Sequence, residues 1–164
     1  MAITIQDFEM AVHYAFTLAG VSPSDSDSLR LRDQANTYCT QVRAQPDGWK
    51  WHLQLFTVTT REQAKFFSLQ YLIDLLHSYP AHRCSVEIMG VGERLFTRQV
   101  LFEWLAGRGP ALAEERVYVK NKIALMLALL IKHDYPERWP GAFSDLISLG
   151  QLGGSFSGVL VIML

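Results

Sequence analysis

Cysteine is scarce in this sequence, with only Cys39 and Cys84 among its 164 residues. The two lie far apart and form no C-x-x-C pair, so we expect neither a disulfide framework nor a zinc site, and a reducing compartment is favoured. The histidines are scattered without the H-E-x-x-H spacing of a metalloprotease. We expect them to be partly exposed helix residues and no metal to bind. They are His13, His52, His77, His82 and His133.

An excess of charge of one sign is also missing. Fifteen Lys and Arg residues balance 16 Asp and Glu residues, which leaves a net charge of −1. Near-neutrality provides no basic footprint for nucleic acid, so this stretch alone is not expected to bind RNA strongly. The apolar run at residues 123–131 is far shorter than the roughly 20 residues that span a bilayer. The first ten residues lack the features of a secretory signal, and no membrane insertion is predicted.

Catalytic motifs are absent as well. Gly-Val-Gly at 90–92 lacks the rest of a phosphate loop or dinucleotide fingerprint, so it predicts a kink at a helix start. The two serines of GGSFSG at 153–158 lack the G-x-S-x-G order and are expected in a flexible tail. Asp134 and Glu137 flank a predicted helix start, where capping is favoured over acid–base chemistry. The sequence therefore predicts no catalytic residue, no cofactor and no enzyme.

Helical spacing of apolar residues dominates what is present. Gly20 and the turn formers after it end a first helix, and Pro46 disfavours helical geometry in the residue before it. Trp49, Leu53 and Phe56 mark a return helix. The first helix is predicted over residues 4–19, and three helix pairs over about 28–57, 60–106 and 112–149.

The segment 120–149 is the clearest of these pairs. Its apolar run should form a buried helix with neighbours on all sides. Pro136 suits the first position of a second helix, with Asp134 as its cap. The second helix should fold back onto the first through an apolar face. That face comprises Trp139, Phe143, Leu146 and Ile147.

The pairs recur every 35 to 50 residues, which is the range expected of HEAT-like repeats. We therefore predict an all-α fold in which antiparallel helix pairs stack as an α-solenoid, with about three repeats after an N-terminal helix. An ordinary helical bundle is the alternative that the same periodicities permit.

Three segments carry a resemblance to a known family. KNKIALMLALLIKHDYPERWPGAFSDLISL at 120–149 resembles the third repeat of the exportin-1/importin-beta-like region near the N-terminus of nuclear export receptors. QANTYCTQVRAQPDGWKWHLQLF at 34–56 is similar to the opening repeat of these karyopherins, and TREQAKFFSLQYLIDLL at 60–76 to the next. The AKFF cluster at 64–67 is typical of the tRNA-export branch, the exportin-T receptors.

The resemblance covers about residues 28–149 and implies the N-terminal portion of a longer receptor. It implies export of mature tRNA from nucleus to cytoplasm with Ran-GTP, and shuttling through the nuclear pore by contact with pore proteins. The tRNA would be held mainly by repeats that this chain does not contain. The alternatives are a helical-repeat protein-binding scaffold and an export receptor for another cargo.

Polar positions on the second helix of each pair are the candidate Ran contacts that the resemblance implies. At each of them a merely solvated helix face is the alternative. The candidates are Lys50, His52 and Gln54 in the first pair, Glu93, Arg94, Thr97 and Arg98 in the second, and Asp145 in the third.

The end of the chain departs from the family pattern. GQLGGSFSGVLVIML at 150–164 is uncharged, rich in glycine and apolar at its end. We therefore divide the chain into a HEAT-repeat region at 1–149 and an atypical tail at 150–164. Our hypothesis is that the tail reflects a truncated or intron-read-through gene model, and a short edge strand or tail is the alternative.

Overall fold

Helices account for nearly all regular structure in the computed structural model, which describes residues 3–20, 22, 24–77 and 89–152. No strand occurs within these ranges, and none of their helices is long and apolar enough to cross a membrane. The all-α prediction is confirmed. The elements are α1 Ile5–Thr17, α2 Ser26–Ala44, α3 Gly48–Val58, α4 Glu62–His77, α5 Val91–Arg108, a 3-10 helix Gly109–Glu114, α6 Val117–Asp134 and α7 Ala142–Leu152.

Local chemistry explains where the first helices begin and end. The Thr4 hydroxyl accepts from the Asp7 amide at 3.1 Å and caps α1, and the Asp25 carboxylate accepts from the Ser28 amide at 3.2 Å and caps α2. Helix α2 ends at Ala44, as predicted from the proline that follows. Helix α3 begins at Gly48, where a Cβ atom would lie 2.6 Å from the Val42 carbonyl oxygen, so only glycine fits.

The chain forms two compact units, Met1–Tyr71 and Leu72–Leu164, and each is described by itself. In unit 1, helices α1, α2 and α3 pack together with the first part of α4. Each helix contributes one apolar face to a common core, as the helical spacing of its apolar residues predicts. The core includes Phe8, Ala11 and Val12 of α1, Ala35, Cys39 and Val42 of α2, Leu55 of α3 and Ala64 of α4.

In unit 2 the apolar run of α6 provides the largest single share of the core. Ile123, Met126 and Leu127 are fully buried, and α5 adds Leu101 and Leu105. Leu125 of α6 is 38% exposed, so the prediction that this helix has neighbours on all sides is wrong. One narrow stripe of α6 faces solvent, since residues 121 and 125 lie one turn apart and are both exposed.

The connection between α6 and α7 differs from the prediction. Residues 135–141 form a turn that contains a cis peptide bond between Tyr135 and Pro136, and α7 begins only at Ala142. Trp139 is therefore in the turn and not on the helix. Its ring packs edge-on against Phe102 of α5, with centroids 5.6 Å apart.

The other three residues of the predicted apolar face lie on α7, and they differ in burial. Leu146 is buried, whereas Phe143 and Ile147 are exposed. Helix α7 continues through Leu152, so residues 150–152 are helical instead of part of a tail. The rest of the predicted tail, at 153–164, lies outside the described residues, as do Cys84 and His82.

Two leucines of α6 test this packing. Leu127→Ala should lower the free energy of unfolding by about 2–5 kcal/mol, because it leaves a cavity in a fully buried site. Leu125→Ala, two residues away on the exposed stripe, should cost less than about 1 kcal/mol. Urea denaturation followed by circular dichroism measures both. Equal losses at the two positions would show that α6 is packed differently.

Candidate functional site

The eight candidate contact residues divide by burial. Three of them lie inside the protein, which removes them from any surface that a partner could reach. Five are exposed or half-exposed. The buried residues are His52, Arg94 and Thr97, and the accessible ones are Lys50, Gln54, Glu93, Arg98 and Asp145.

His52 is fully buried in unit 1, so the expectation of a partly exposed histidine is wrong at this position. Its ring stacks on Tyr71 at 4.1 Å and on Phe67 at 5.3 Å between centroids, and the Phe8 ring meets it edge-on at 5.0 Å. The sequence itself indicates this burial, because His52 lies four residues before Phe56 and therefore lies on the same face of α3.

Arg94 is a second buried residue, with 7% of its surface exposed. Its Nε and Nη2 atoms donate to Oδ1 of Asp134 at 3.0 and 2.8 Å, and Nη1 donates to the Met89 carbonyl at 2.8 Å. The Asp134 carboxylate therefore pairs with α5, and the prediction that it caps the next helix is wrong. Arg94 joins the start of α5 to the end of α6 and is not available to a partner.

The neighbours of Arg94 also serve the start of α5. The Glu93 carboxylate accepts from the amide of Gly90, the residue that precedes the helix, where a negative charge is favourable. The Thr97 hydroxyl is buried and lies 3.8 Å from the sulfur of Met89. Of the four candidates on α5, only Arg98 therefore keeps a charged group that is both accessible and uncommitted to the helix start.

Arg98 and Asp145 meet at one tryptophan. The Arg98 guanidinium lies 4.4 Å from the centroid of the Trp139 ring, and the indole Nε1 donates to Asp145 Oδ2 at 2.7 Å. Trp139 itself is 4% exposed. We call the group of Arg98, Phe102, Trp139 and Asp145 the Trp139 corner. It places a cation and a carboxylate on the surface of unit 2 around a buried ring.

Lys50 and Gln54 form the accessible pair in unit 1. They lie one turn apart on α3 and are both exposed. The Lys50 ammonium is 3.1 Å from the Asp47 carboxylate, in an ion pair whose two side chains are more than half exposed. Such pairs contribute less than about 1 kcal/mol, so a partner could displace this one at little cost.

The described residues include an open groove on α2 and no cluster of metal ligands. No group of three His, Cys, Asp or Glu side chains among them could hold a metal ion. An open groove of about 610 Å³ runs along α2, and sequence reasoning did not predict it. Most of its lining residues are polar, although the surface that they expose to the groove is mainly apolar. The groove is lined by Ser26, Leu29, Arg30, Asp33, Gln34, Thr37, Tyr38 and Gln41.

Comparison with known proteins adds independent support for the family. The family model described as Exportin 1-like protein matches residues 116–164, a range that begins just before α6. Exportin-T of Dictyostelium discoideum is 29% identical over 152 residues, and exportin-T of Homo sapiens is 30% identical over 138 residues. These alignments cover 92% and 82% of this chain. The resemblance to exportin-T and its superfamily is confirmed.

The similarity extends beyond exportin-T. Protein EXPORTIN 1A of Arabidopsis thaliana is 28% identical over 121 residues, which cover 74% of this chain. The matched superfamily is built from HEAT-like helix pairs, in agreement with the predicted repeat class. The chain spans about 13% of the length of the exportin-T relatives from Dictyostelium and Homo sapiens.

The Arg94–Asp134 pair makes a quantitative prediction. Arg94→Met should lower the free energy of unfolding by about 3–5 kcal/mol, because Asp134 is then buried without its partner. Combining Arg94→Met with Asp134→Leu should recover most of the loss, since no unpaired charge remains. Urea denaturation of both variants measures the difference.

The exposed Lys50–Asp47 pair is the matched control. Lys50→Met, the same type of change at a solvated ion pair, should alter the free energy of unfolding by less than about 1 kcal/mol. If Arg94→Met were as mild as Lys50→Met, Arg94 would be accessible to solvent and would return to the set of candidate contacts.

Proposed function

We propose that this chain is part of a nuclear export receptor that carries mature tRNA from the nucleus to the cytoplasm in a complex with Ran-GTP. The observation that carries the proposal is its similarity to exportin-T, at 29% identity over 92% of the chain in one relative and 30% over 82% in another. The exportins are transport receptors and not enzymes. A surface with exposed polar side chains and no metal cluster among the described residues suits that role.

Within this proposal, Ran is contacted through the accessible candidates other than Glu93, whose carboxylate is bound to the amide of Gly90 at the start of α5. Lys50 and Gln54 of α3 are the proposed contacts in unit 1, and Arg98 and Asp145 of the Trp139 corner are those in unit 2. All four residues lie on second helices of the predicted pairs, and their polar side chains are accessible. His52, Arg94 and Thr97 are no longer proposed, because their side chains are buried.

The tRNA is assigned mainly to repeats outside this chain. A net charge of −1 gives this chain no excess of positive charge with which to release the counterions of an RNA backbone, and that release is the usual source of affinity for RNA. Shuttling through the pore would require contact with pore proteins, again by the longer receptor. Direction comes from Ran, since a receptor that couples cargo to Ran-GTP binds each ligand more tightly in the presence of the other.

An export receptor for a different cargo is the second candidate. The observation in its favour is the 28% identity to EXPORTIN 1A over 74% of the chain, close to the values for exportin-T. Both candidates share the Ran step and differ in cargo. A helical-repeat scaffold without Ran dependence is the third, and nucleotide dependence separates it from the other two.

Ran binding is the decisive measurement. The full chain should bind Ran loaded with a non-hydrolysable GTP analogue more tightly than Ran-GDP at the same salt concentration. Isothermal titration calorimetry measures both affinities. Equal affinity for the two forms, or no binding by a chain that circular dichroism shows to be helical, would favour the scaffold.

Charge-reversal variants test which of the proposed cations contact Ran. Lys50→Glu and Arg98→Glu should each weaken Ran-GTP binding by roughly tenfold, or about 1.4 kcal/mol, if these cations face the partner. Arg30→Glu is the matched control, because Arg30 is an exposed arginine on α2, the first helix of its pair. Unchanged affinity in both test variants would move the Ran contact to other residues.

A further inference from the structure

The imidazole of His52 lies among aromatic rings from two neighbouring helices. Helix α1 contributes Phe8, edge-on at 5.0 Å, and α4 contributes Phe67 and Tyr71, stacked at 5.3 and 4.1 Å. His52 itself belongs to α3 and has none of its surface exposed. One ring thus contacts the helix that opens unit 1 and the helix that ends it.

Neither ring nitrogen of His52 has a hydrogen-bond partner among the described residues, although both are buried. A neutral imidazole leaves one N–H donor and one acceptor unmet in this position. A protonated imidazole would leave two donors and a full charge unmet, which costs far more in a buried site. The packing therefore accepts His52 as a neutral aromatic ring and opposes its charged form.

The groups around His52 also disfavour its charged form. On α2, the Arg43 guanidinium lies over the rings of Phe67 and Tyr71 at 4.5 and 5.3 Å and repels a second cation. The Tyr71 hydroxyl donates to the Arg43 carbonyl, and burial raises the pKa of this tyrosine, so it stays neutral. Burial also raises the pKa of the Cys39 thiol on α2 to about 11.

On α1 two carboxylates adjoin Phe8 in sequence, those of Asp7 and Glu9. The Asp7 carboxylate accepts from the Thr4 hydroxyl at 2.7 Å. Glu9 is also held elsewhere. It accepts from the Thr59 hydroxyl at 2.5 Å and lies 3.9 Å from Arg61. The ring contacts described for His52 therefore include no acidic group that could compensate an imidazolium.

We propose that His52 is a pH-sensitive latch of unit 1, which holds α1 and α4 against α3 while it is neutral and loosens them when it is protonated. This inference does not depend on the proposed export function.

The direction in which stability changes with pH follows from the direction of the pKa shift of His52. Burial first, and the charge of Arg43 second, hold the pKa of His52 well below its usual value of 6.5 in the folded protein. Protons therefore bind the unfolded chain preferentially, and stability is complete above about pH 6.5. It is lost as the pH falls towards the folded-state value, with the folding equilibrium constant dropping about tenfold per pH unit.

Chemical denaturation of the full chain at pH 7.5 and pH 5.5 tests the latch. Between these values the folding equilibrium constant of the wild type should fall about tenfold more than that of His52→Phe, which keeps a ring but cannot titrate. His13→Phe is the matched control, because His13 is a half-exposed histidine of α1 beside Tyr14. It should retain the pH dependence of the wild type, and a His52→Phe variant that also retained it would overturn the proposal.

A measurement on the wild type covers the case in which His52→Phe does not fold. The Cε1–H resonance of His52, followed by NMR from pH 7.5 to 5.5 in the folded protein, should keep its chemical shift. The His13 resonance provides the comparison for a histidine with solvent access. Titration of His52 with a midpoint near 6.5 would overturn the proposal, since the folded protein would then accept the charge.

Discussion

A polar side chain that enters the core of a helical protein must have a partner or remain uncharged, and this constraint organises both units. In unit 2 the Arg94 guanidinium is satisfied by the Asp134 carboxylate and the Met89 carbonyl, so a full charge can be buried between α5 and α6. In unit 1 the His52 ring has no such partner among the residues that the structure describes, and it is held among aromatic rings as a neutral group. The imidazole cannot accept a proton without opposing this packing, because its charged form would be buried without a partner.

The same constraint separates what the sequence predicts from what it does not. Periodicity, glycine and proline predict the helices well, as the end of α2 at Ala44 illustrates, because these signals act within a few residues. The partner of Arg94 lies 40 residues away, and no local pattern connects the two. The burial of His52 could have been inferred from its spacing to Phe56, whereas the position of Trp139 in a turn could not, since its spacing to Phe143 and Leu146 suits a helix equally well. Local rules therefore predict the elements, and long-range polar contacts decide which candidate residues remain at the surface.

The burial of three candidates reduces the proposed contact surface to fewer residues than the sequence alone indicated. Removing the buried residues, and Glu93 at the start of α5, leaves one cation with an amide on α3 and one cation with a carboxylate at the Trp139 corner. A transport receptor must bind its partner reversibly, and exposed charges suit this because they steer encounter and exchange with solvent readily. Buried hydrogen-bonded charges such as Arg94 are stable parts of the scaffold and would be poor contacts for a partner that has to dissociate.

The Trp139 corner differs from the α3 pair in one physical respect that bears on function. Arg98 lies over the Trp139 ring, and Asp145 holds its indole N–H, so the two surface charges also position a buried side chain between α5 and α7. A partner that draws Arg98 away from the ring removes an interaction of about 0.5–1 kcal/mol from that packing. A partner that instead bonds the free edge of the guanidinium leaves the stacking intact and adds to it. Binding at this corner is therefore linked to the packing of α7, whereas displacement of Lys50 from Asp47 breaks only a solvated ion pair. Linkage makes the two effects equal. If a ligand binds more tightly when Arg98 is stacked on Trp139, the free energy gained in binding equals the free energy by which the ligand stabilises the packing of α7.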